Sequence, residues 1–358
     1  MSEKNKVMRH LKVYTKQDVL AHTTIRRFET KLGERVQVLK DPKKIEESLQ
    51  NSNALYVLIG ITENIGLKGN LGEGNPTGIW SPFLRSFLNT QSNDFLGGDE
   101  LMLLGHFDFN DVSYIIEQSA QTFDEKVDAY RHAVNLIDAE VEQLIHMITQ
   151  NKKLPIVIGG GQNNAYPCIK GAAKGWFKSG AIPFAQINAI NVDSCSDYRP
   201  LEGRHNGNAF RYAEEDGYLE KYCVVGLHEC KIQQNVWLDM VNNPFIDCIT
   251  FEDIFLHEKR TFLEAIDHAT EFTIDTLCGI ELDLGSIENM VTNSTSPTGI
   301  SVNQARQYLY FAAIDSQPAY LHISEGDVDL PVNKNEDSTA VLVSYLVSDF
   351  VKALQQGY

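Results

Sequence analysis

The sequence lacks the features that would place a protein in a membrane or outside the cell. It has no run of about 18 apolar residues, the length that a membrane-spanning helix requires. Its first ten residues, MSEKNKVMRH, are charged and contain no apolar segment of the kind found in secretory signals. Its six cysteines form no CxxC pair and are scattered over the C-terminal half. We therefore expect a cytoplasmic protein with reduced thiols.

Positive charge is also scarce. The chain of 358 residues has 31 Lys and Arg against 48 Asp and Glu, so its formal net charge is −17. Nucleic-acid grooves and anionic membrane surfaces are bound by clustered cations, and the sequence therefore predicts neither nucleic acid nor membrane as a partner. Apolar residues make up 43% of the chain, an ordinary value for a globular protein with a sizeable core.

Short apolar runs alternate with amphipathic segments along the chain, which predicts strands alternating with helices. The continuous apolarity of the runs indicates strands buried on both faces, as in a parallel sheet. The predicted strands are residues 54–60, 100–105, 153–159, 184–192, 222–226, 248–251, 277–282 and 319–323. The predicted helices are residues 43–50, 122–150, 165–178, 208–220, 262–275, 302–315 and 338–354. This order predicts an α/β fold with three layers, α/β/α, around a mainly parallel sheet.

The domain organisation is predicted to be simple. Residues 1–50 are polar and charged and are predicted to form an N-terminal extension packed on the rest. No Pro/Gly/Ser-rich linker divides residues 51–358, which predicts one domain. Within it, the glycine- and asparagine-rich segment 61–77 is too long for a simple connection, and such loops often lie over a functional site.

Side chains that can bind a cation follow four of the predicted strands. They are Gln162, Asp193, Cys195, Asp197, Glu281, Asp283 and Glu325. In open parallel sheets, ligands bind beyond the carboxyl ends of the strands. Clustered carboxylates repel one another, and a divalent cation is their usual counter-charge. From spacing alone, a metal site and a set of water-facing acidic loops both remain open.

Three of these segments, taken in order, resemble motifs of the ureohydrolase family, which includes arginase, agmatinase and formimidoylglutamase. Residues 159–162, Gly-Gly-Gly-Gln, are similar to the family's Gly-Gly-x-His. Residues 193–197, Asp-Ser-Cys-Ser-Asp, are similar to its Asp-Ala-His-x-Asp, and residues 280–283, Ile-Glu-Leu-Asp, to its Ser-x-Asp-x-Asp. The resemblance runs from about residue 55 to the C-terminus. Residues 199–210 look closest to formimidoylglutamase-like and agmatinase-like members.

The resemblance implies a mechanism and a set of roles. Family members bridge two Mn²⁺ ions with a hydroxide, which attacks the central carbon of a guanidinium or amidine. The implied metal positions are Gln162, Asp193, Cys195, Asp197, Glu281 and Asp283, with Asp193 and Glu281 bridging. Glu325 and Asn206 would contact a small cationic amidine or guanidine, and His205 would serve as the catalytic acid or base. A homo-oligomer is expected because family members are commonly oligomeric.

The chain departs from the family at three of these metal positions. Gln162 and Cys195 replace the two histidines, and Glu281 replaces a bridging aspartate. A glutamine carbonyl is a weak ligand, and a cysteine thiolate favours zinc or copper over manganese. The extra methylene of glutamate shifts its carboxylate by about 1 Å in a site that tolerates about 0.5 Å. An intact manganese pair is therefore not expected.

The retained carboxylates nevertheless predict that the site attracts some cation. This could be one hard divalent metal, zinc through Cys195, or an organic cation, and a metal-free site is the alternative. Two functions follow: a metal-dependent hydrolase of linear amidine or guanidine C–N bonds, or a non-catalytic relative that keeps the fold for binding or assembly. His322, one residue before Ile323 in the last predicted strand, is predicted to be a packed strand residue.

Overall fold

The computed structural model describes residues 8–72, 74, 78–290, 292, 295–327 and 335–356. Its strands are β1 Leu11–Val13, β2 Tyr56–Thr62, β3 Leu101–Asp108, β4 Leu154–Ile158, β5 Ile187–Val192, β6 Leu219–Leu227, β7 Ile246–Thr250, β8 Cys278–Asp283 and β9 Pro318–Ser324. They form one sheet in the order β1-β3-β2-β4-β9-β8-β5-β6-β7. All neighbouring strands are parallel except β1 and β3, which are antiparallel.

Helices cover both faces of this sheet. They are α1 Lys16–Ala21, α2 Leu32–Arg35, α3 Ile45–Gln50, α4 Ile65–Gly69, α5 Trp80–Leu88, α6 Asn110–Ser119, α7 Phe123–Gln150, α8 Ala165–Lys178, α9 Ala209–Glu215, α10 Gln234–Val241, α11 Phe251–Phe255, α12 Phe262–Thr273, α13 Val302–Asp315 and α14 Asn335–Gln356. One apolar core lies between the sheet and the helices α5, α12, α13 and α14, and a second lies between the opposite face and α7, α8 and α9. The predicted three-layer α/β/α fold is therefore confirmed.

The central strands form where the sequence predicts buried apolar runs. All six residues of β5 are buried, and so are six of the seven residues of β2. Side chains on alternate sides of each strand enter the two cores, which removes the strand from water on both faces. The predicted strand 184–192 begins later than expected, at Ile187, and Phe184 is exposed. An apolar side chain alone does not make a strand when no neighbouring strand pairs with it.

The N-terminal segment contributes a strand that the sequence does not predict. Leu11 of β1 pairs with Phe107 of β3, and Val13 pairs with Gly105. A strand of three residues is too short to show a period of two, so no pattern could reveal it. Residues 8–50 thus include the edge strand of the sheet.

The predicted loop 61–77 contains the short helix α4. Residues 73 and 75–77 of this loop lie outside the described part of the chain. Across the described residues, every helix is either too short or too polar to cross a membrane.

Candidate metal centre and active site

The carboxyl ends of four adjacent strands, β4, β9, β8 and β5, bring the predicted site residues together. Gln162 lies on a short 3-10 helix, Gln162–Asn164, that follows β4, and Glu325 lies one residue beyond β9. Glu281 and Asp283 lie at the end of β8, and Asp193 follows β5 directly. Strands that are distant in sequence thus place these side chains at one edge of the sheet, as expected for a parallel sheet.

Three aspartates form a compact group, which we call the aspartate trio: Asp193, Asp197 and Asp283. One carboxylate oxygen from each lies within 4.8 Å of the others. Asp193 accepts a hydrogen bond from the backbone N–H of Cys195 at 2.8 Å, and Asp283 accepts one from Gly285 at 2.5 Å. These backbone donors fix the two carboxylates at the ends of their strands.

The trio is electrostatically unfavourable on its own. Burial raises the pKa of Asp193, and it raises the pKa of Asp197 well above the usual range, with the charges of Asp193 and Asp283 adding to the effect. Burial, together with Asp193 and Glu325, likewise raises the pKa of Asp283 well above its usual range. Carboxylates held this way favour a bound proton or a bound cation.

One basic residue near the trio is not predicted from the sequence. Lys231 follows β6 and donates a hydrogen bond from Nζ to Oγ of Ser194 at 2.8 Å. Its charge partly offsets the rise in the pKa values of Asp193 and Asp283. Lys231 belongs to no motif and comes from a neighbouring strand end, so only the strand order reveals its proximity.

Glu281 is held by other side chains instead of joining the trio. The hydroxyl of Tyr320 donates to Oε1 of Glu281 at 2.6 Å. Oε2 of Glu281 lies 2.7 Å from Nδ1 of His322 and accepts a hydrogen bond from Nε2 of Gln162 at 3.1 Å. The carbonyl oxygen of Gln162 in turn accepts a hydrogen bond from Ser324. Both side chains are therefore committed to protein partners.

His322 is buried on β9, as predicted, but it also contacts the site. Its Nδ1 faces Glu281, and its Nε2 lies 3.3 Å from the carbonyl oxygen of Gly159. Both ring nitrogens face acceptors, an arrangement that suits a doubly protonated ring. Burial alone would lower the pKa of His322, but the Glu281 carboxylate outweighs it and the pKa is raised. The polar residues Tyr320, His322 and Ser324 alternate along an apolar strand, a signal that could have identified this face.

The donor set of the trio fits one hard divalent cation, because it offers buried carboxylate oxygens with little compensating charge. It does not fit a metal pair. Gln162 and Glu281 are hydrogen-bonded to each other, and Cys195 is not part of the trio. Burial and the charges of Asp193 and Asp197 raise the pKa of the Cys195 thiol well above its usual range, so the thiol is protonated.

Glu325 and Asn206 form the other wall of the site. Oε1 of Glu325 accepts hydrogen bonds from the backbone N–H of Gln162 and from Nδ2 of Asn206, both at 2.9 Å. Asn206 accepts a hydrogen bond from Asn70 at 2.9 Å. A Cβ at Gly161 would lie 2.6 Å from Oδ1 of Asn163 and 3.2 Å from Oε1 of Glu325, so a larger residue would crowd both side chains. The structure thus brings together two residues predicted to contact substrate.

The ring of His205 holds the neighbouring loop. Its Nδ1 accepts a hydrogen bond from the backbone N–H of Gly207 at 3.1 Å, and its Nε2 lies 3.2 Å from Glu202. Burial, aided by the charge of Arg199, lowers the pKa of His205 to about 4, so the ring is neutral near pH 7. The ring of the residue predicted as catalytic acid or base thus contacts Glu202 and Gly207 on either side of it in the chain.

Arg204 fixes the same loop to the body of the domain. Its guanidinium donates to both carboxylate oxygens of Asp138, at 2.9 and 3.2 Å, and to the carbonyl oxygen of Asn163 at 2.8 Å. It also lies 4.5 Å from the ring centroid of Tyr166. All these contacts are buried, so the loop that carries Asn206 has a rigid attachment beside the 3-10 helix of Gln162.

Comparisons with known proteins give one family and one fold. The sequence model of the arginase family matches residues 95–351. A formimidoylglutamase of Geobacillus thermodenitrificans (strain NG80-2) is 23% identical over 218 residues, which is 58% of this chain and 62% of that protein. A formimidoylglutamase of Streptococcus gordonii is 22% identical over 147 residues, or 39% of this chain and 43% of that protein. The matched segments span less than two thirds of either relative.

Solved structures extend the likeness over most of the chain. Formimidoylglutamase from Bacillus subtilis aligns with a TM-score of 0.69 and 15% identity, covering 93% of this chain and 94% of that one. Trypanosoma cruzi formiminoglutamase with Mn²⁺ aligns with a TM-score of 0.67 and 18% identity, covering 91% of this chain and 98% of that one. At identities of 15% and 18%, these two alignments show that the chain shares their fold.

Proposed function

Since the chain belongs to the arginase family, we propose that it is a formimidoylglutamase-like hydrolase that acts on a C–N bond of a small linear amidine and binds a single hard divalent cation. The aspartate trio carries this proposal, because its three carboxylates, two buried and one half-buried, lie within 4.8 Å of one another and offer the oxygen donors that a hard divalent cation prefers. The two formimidoylglutamases that match the sequence support the substrate class.

Asp193, Asp197 and Asp283 would hold the cation. Mn²⁺ is the first candidate because the Trypanosoma cruzi structure carries it, and Mg²⁺ suits the same oxygen donors. A cation bound here would supply a Lewis acid and lower the pKa of bound water. The backbone hydrogen bonds on Asp193 and Asp283 fix the directions of the two carboxylates that would hold the cation.

Glu325 and Asn206 would bind the substrate. A carboxylate pairs with an amidinium through charge-assisted hydrogen bonds, and burial of Glu325 strengthens such a pair. Asn206 holds Oε1 of Glu325 and so sets the direction of the carboxylate. His205 would keep Asn206 in place through its contacts with Gly207 and Glu202.

The proposal is tested by metal analysis and a panel of amidines and guanidines, using full-length protein purified without chelator. Ammonia, formamide and urea are the products to measure. We expect about one divalent cation per chain and turnover that disappears in Asp283→Asn. Glu288→Gln, a carboxylate outside the trio, serves as the control and should keep both. The proposal fails if wild-type turnover does not exceed the metal-free blank.

A non-catalytic relative that keeps the fold for binding or assembly is the second candidate. The hydrogen bonds among Gln162, Glu281 and His322 favour it, because they occupy half of the site in which the family is expected to bind two metals. Cation binding without turnover on any compound of the panel would support this candidate. A homo-oligomer and a cytoplasmic location remain predictions from the sequence.

A further inference from the structure

We propose that the buried His322–Glu281 ion pair stands in the place of the second metal ion, so that Glu281 ligates no metal and the chain holds one cation. The inference deepens the one-cation part of the proposed function and rests on it. It does not depend on turnover, because it concerns only what neutralises Glu281.

The first step is that Glu281 cannot bridge two metals. Tyr320 donates to Oε1 at 2.6 Å, while His322 and Gln162 both approach Oε2, at 2.7 and 3.1 Å. A carboxylate that bridges two metals needs one lone pair on each oxygen directed at a cation, and each oxygen has two lone pairs. The two partners of Oε2 use both of its lone pairs, so a metal could bind there only by displacing one of them.

The second step is that the site supplies its own positive charge. Neither the His322 nor the Glu281 side chain is exposed to solvent. A buried carboxylate needs a partner of opposite charge, because burying an unpaired charge is very costly. The nearest partner is the His322 ring, whose second nitrogen is directed at the carbonyl oxygen of Gly159 and therefore also donates. The His322 ring thus neutralises the Glu281 carboxylate, as a metal ion would.

The third step is that Gln162 is locked into the same arrangement. Its Nε2 donates to Glu281, while its carbonyl oxygen, the only atom that could ligate a metal, accepts a hydrogen bond from Ser324. Tyr320, His322 and Ser324 occupy alternate positions of β9 and so present one face of the strand to Gln162 and Glu281. One face of β9 therefore holds Gln162 and Glu281 in a hydrogen-bonded network at the position where family members are expected to bind a second metal.

Mn²⁺ titration of the chelator-treated full chain tests the inference. We expect about one Mn²⁺ per chain for the wild type. Glu281→Gln should keep the Mn²⁺ affinity within about twofold, whereas Asp283→Asn should lower it by about tenfold or more, as loss of a metal-site residue does. Two Mn²⁺ per chain with the spectrum of a coupled pair, or a tenfold loss of affinity in Glu281→Gln, would overturn the inference.

If no Mn²⁺ binds, the one-cation proposal is wrong, but the His322–Glu281 ion pair is still tested by a second measurement. Thermal unfolding in chelator compares His322→Gln, Glu281→Gln and the double variant. An ion pair predicts that each single variant lowers the melting temperature and that the double variant loses clearly less than the sum. His10→Gln is the matched control, because His10 lies 2.8 Å from Glu140 in another part of the domain and should not couple to Glu281→Gln. Additive losses at His322 and Glu281 would overturn the pair.

Discussion

The imidazole of His322 lies 2.7 Å from the carboxylate of Glu281, and neither side chain is exposed to solvent. This contact separates the two halves of the site. On one side, Glu281 contacts His322, and Gln162 is hydrogen-bonded to Glu281 and Ser324. On the other side, one carboxylate oxygen each from Asp193, Asp197 and Asp283 lies within 4.8 Å of the others. The fold therefore places a group of three carboxylates at the strand ends, beside a position where protein side chains hold Glu281.

Replacing Asp197 with Asn should stabilise the metal-free protein and abolish cation binding. Burial and repulsion from Asp193 and Asp283 disfavour the charged form of Asp197, so its removal should raise the free energy of unfolding of the metal-free protein. Urea unfolding in chelator measures this change. Asp138→Asn is the control, because it leaves Arg204 buried without its ion pair and should destabilise by about 3 kcal/mol. A loss of stability in Asp197→Asn would contradict the prediction.

Replacing Glu325 with Gln should reduce amidine hydrolysis without affecting the cation. The neutral amide still accepts a hydrogen bond from Asn206 but cannot pair with a cationic substrate, so kcat/KM should fall by about 10²-fold. Mn²⁺ affinity should remain within about twofold, as measured by calorimetry. Glu202→Gln, which removes a more exposed carboxylate of the loop that carries Asn206, should have a much smaller effect on kcat/KM. Equal losses in the two variants would argue against a substrate contact.

The buried histidine of the loop predicts a pH dependence of stability. The pKa of His205 is lowered to about 4 in the folded protein, below its ordinary value of 6.5. The unfolded chain therefore binds the proton more readily, and stability should be lost as the pH falls from about 6.5 to about 4, by up to about 3 kcal/mol. His205→Gln should remove this part of the pH profile of urea unfolding. His132→Gln, an exposed histidine on α7, should leave the profile unchanged.

Loss of Arg204 should be far more damaging than loss of a surface arginine. Arg204→Leu leaves the buried Asp138 carboxylate without its partner, which predicts a loss of about 3–5 kcal/mol. Arg306 is the matched control: it also contacts an aspartate, Asp349 at 2.6 Å, but its side chain is 41% exposed. Arg306→Leu should therefore cost less than about 1 kcal/mol. Similar unfolding midpoints for the two variants would contradict the role given to Arg204.

Restoring the two histidines of the family pattern should not restore a metal pair by itself. In the double variant Gln162→His and Cys195→His, His322 still holds Glu281, so metal analysis should give about one Mn²⁺ per chain. Adding His322→Asn releases Glu281 and should raise the value towards two. Two Mn²⁺ already present in the double variant would show that His322 does not control the second position.

The sequence predicts most of the fold because eight of its strands are apolar runs buried in the sheet, and it predicts the edge where Asp193, Asp197 and Asp283 meet. It does not predict β1, whose three residues carry no period. The contacts of Lys231 and His322 with the site are not predicted either, because they depend on which strands are neighbours in the sheet. Whether Glu281 ligates a metal or pairs with a histidine depends on such contacts and cannot follow from a motif.

The strand order has a consequence for how the chain folds. Strands β1 to β4 and strands β5 to β7 form two separate groups that pair only through β8 and β9, the last two strands in the sequence. A growing chain that has not yet passed residue 324 can pair the strands within each group but cannot join the groups. Such long-range parallel pairing is intrinsically slow. Closure of the sheet and assembly of Gln162, Asp193 and Glu281 into one site should therefore be a single late event in folding.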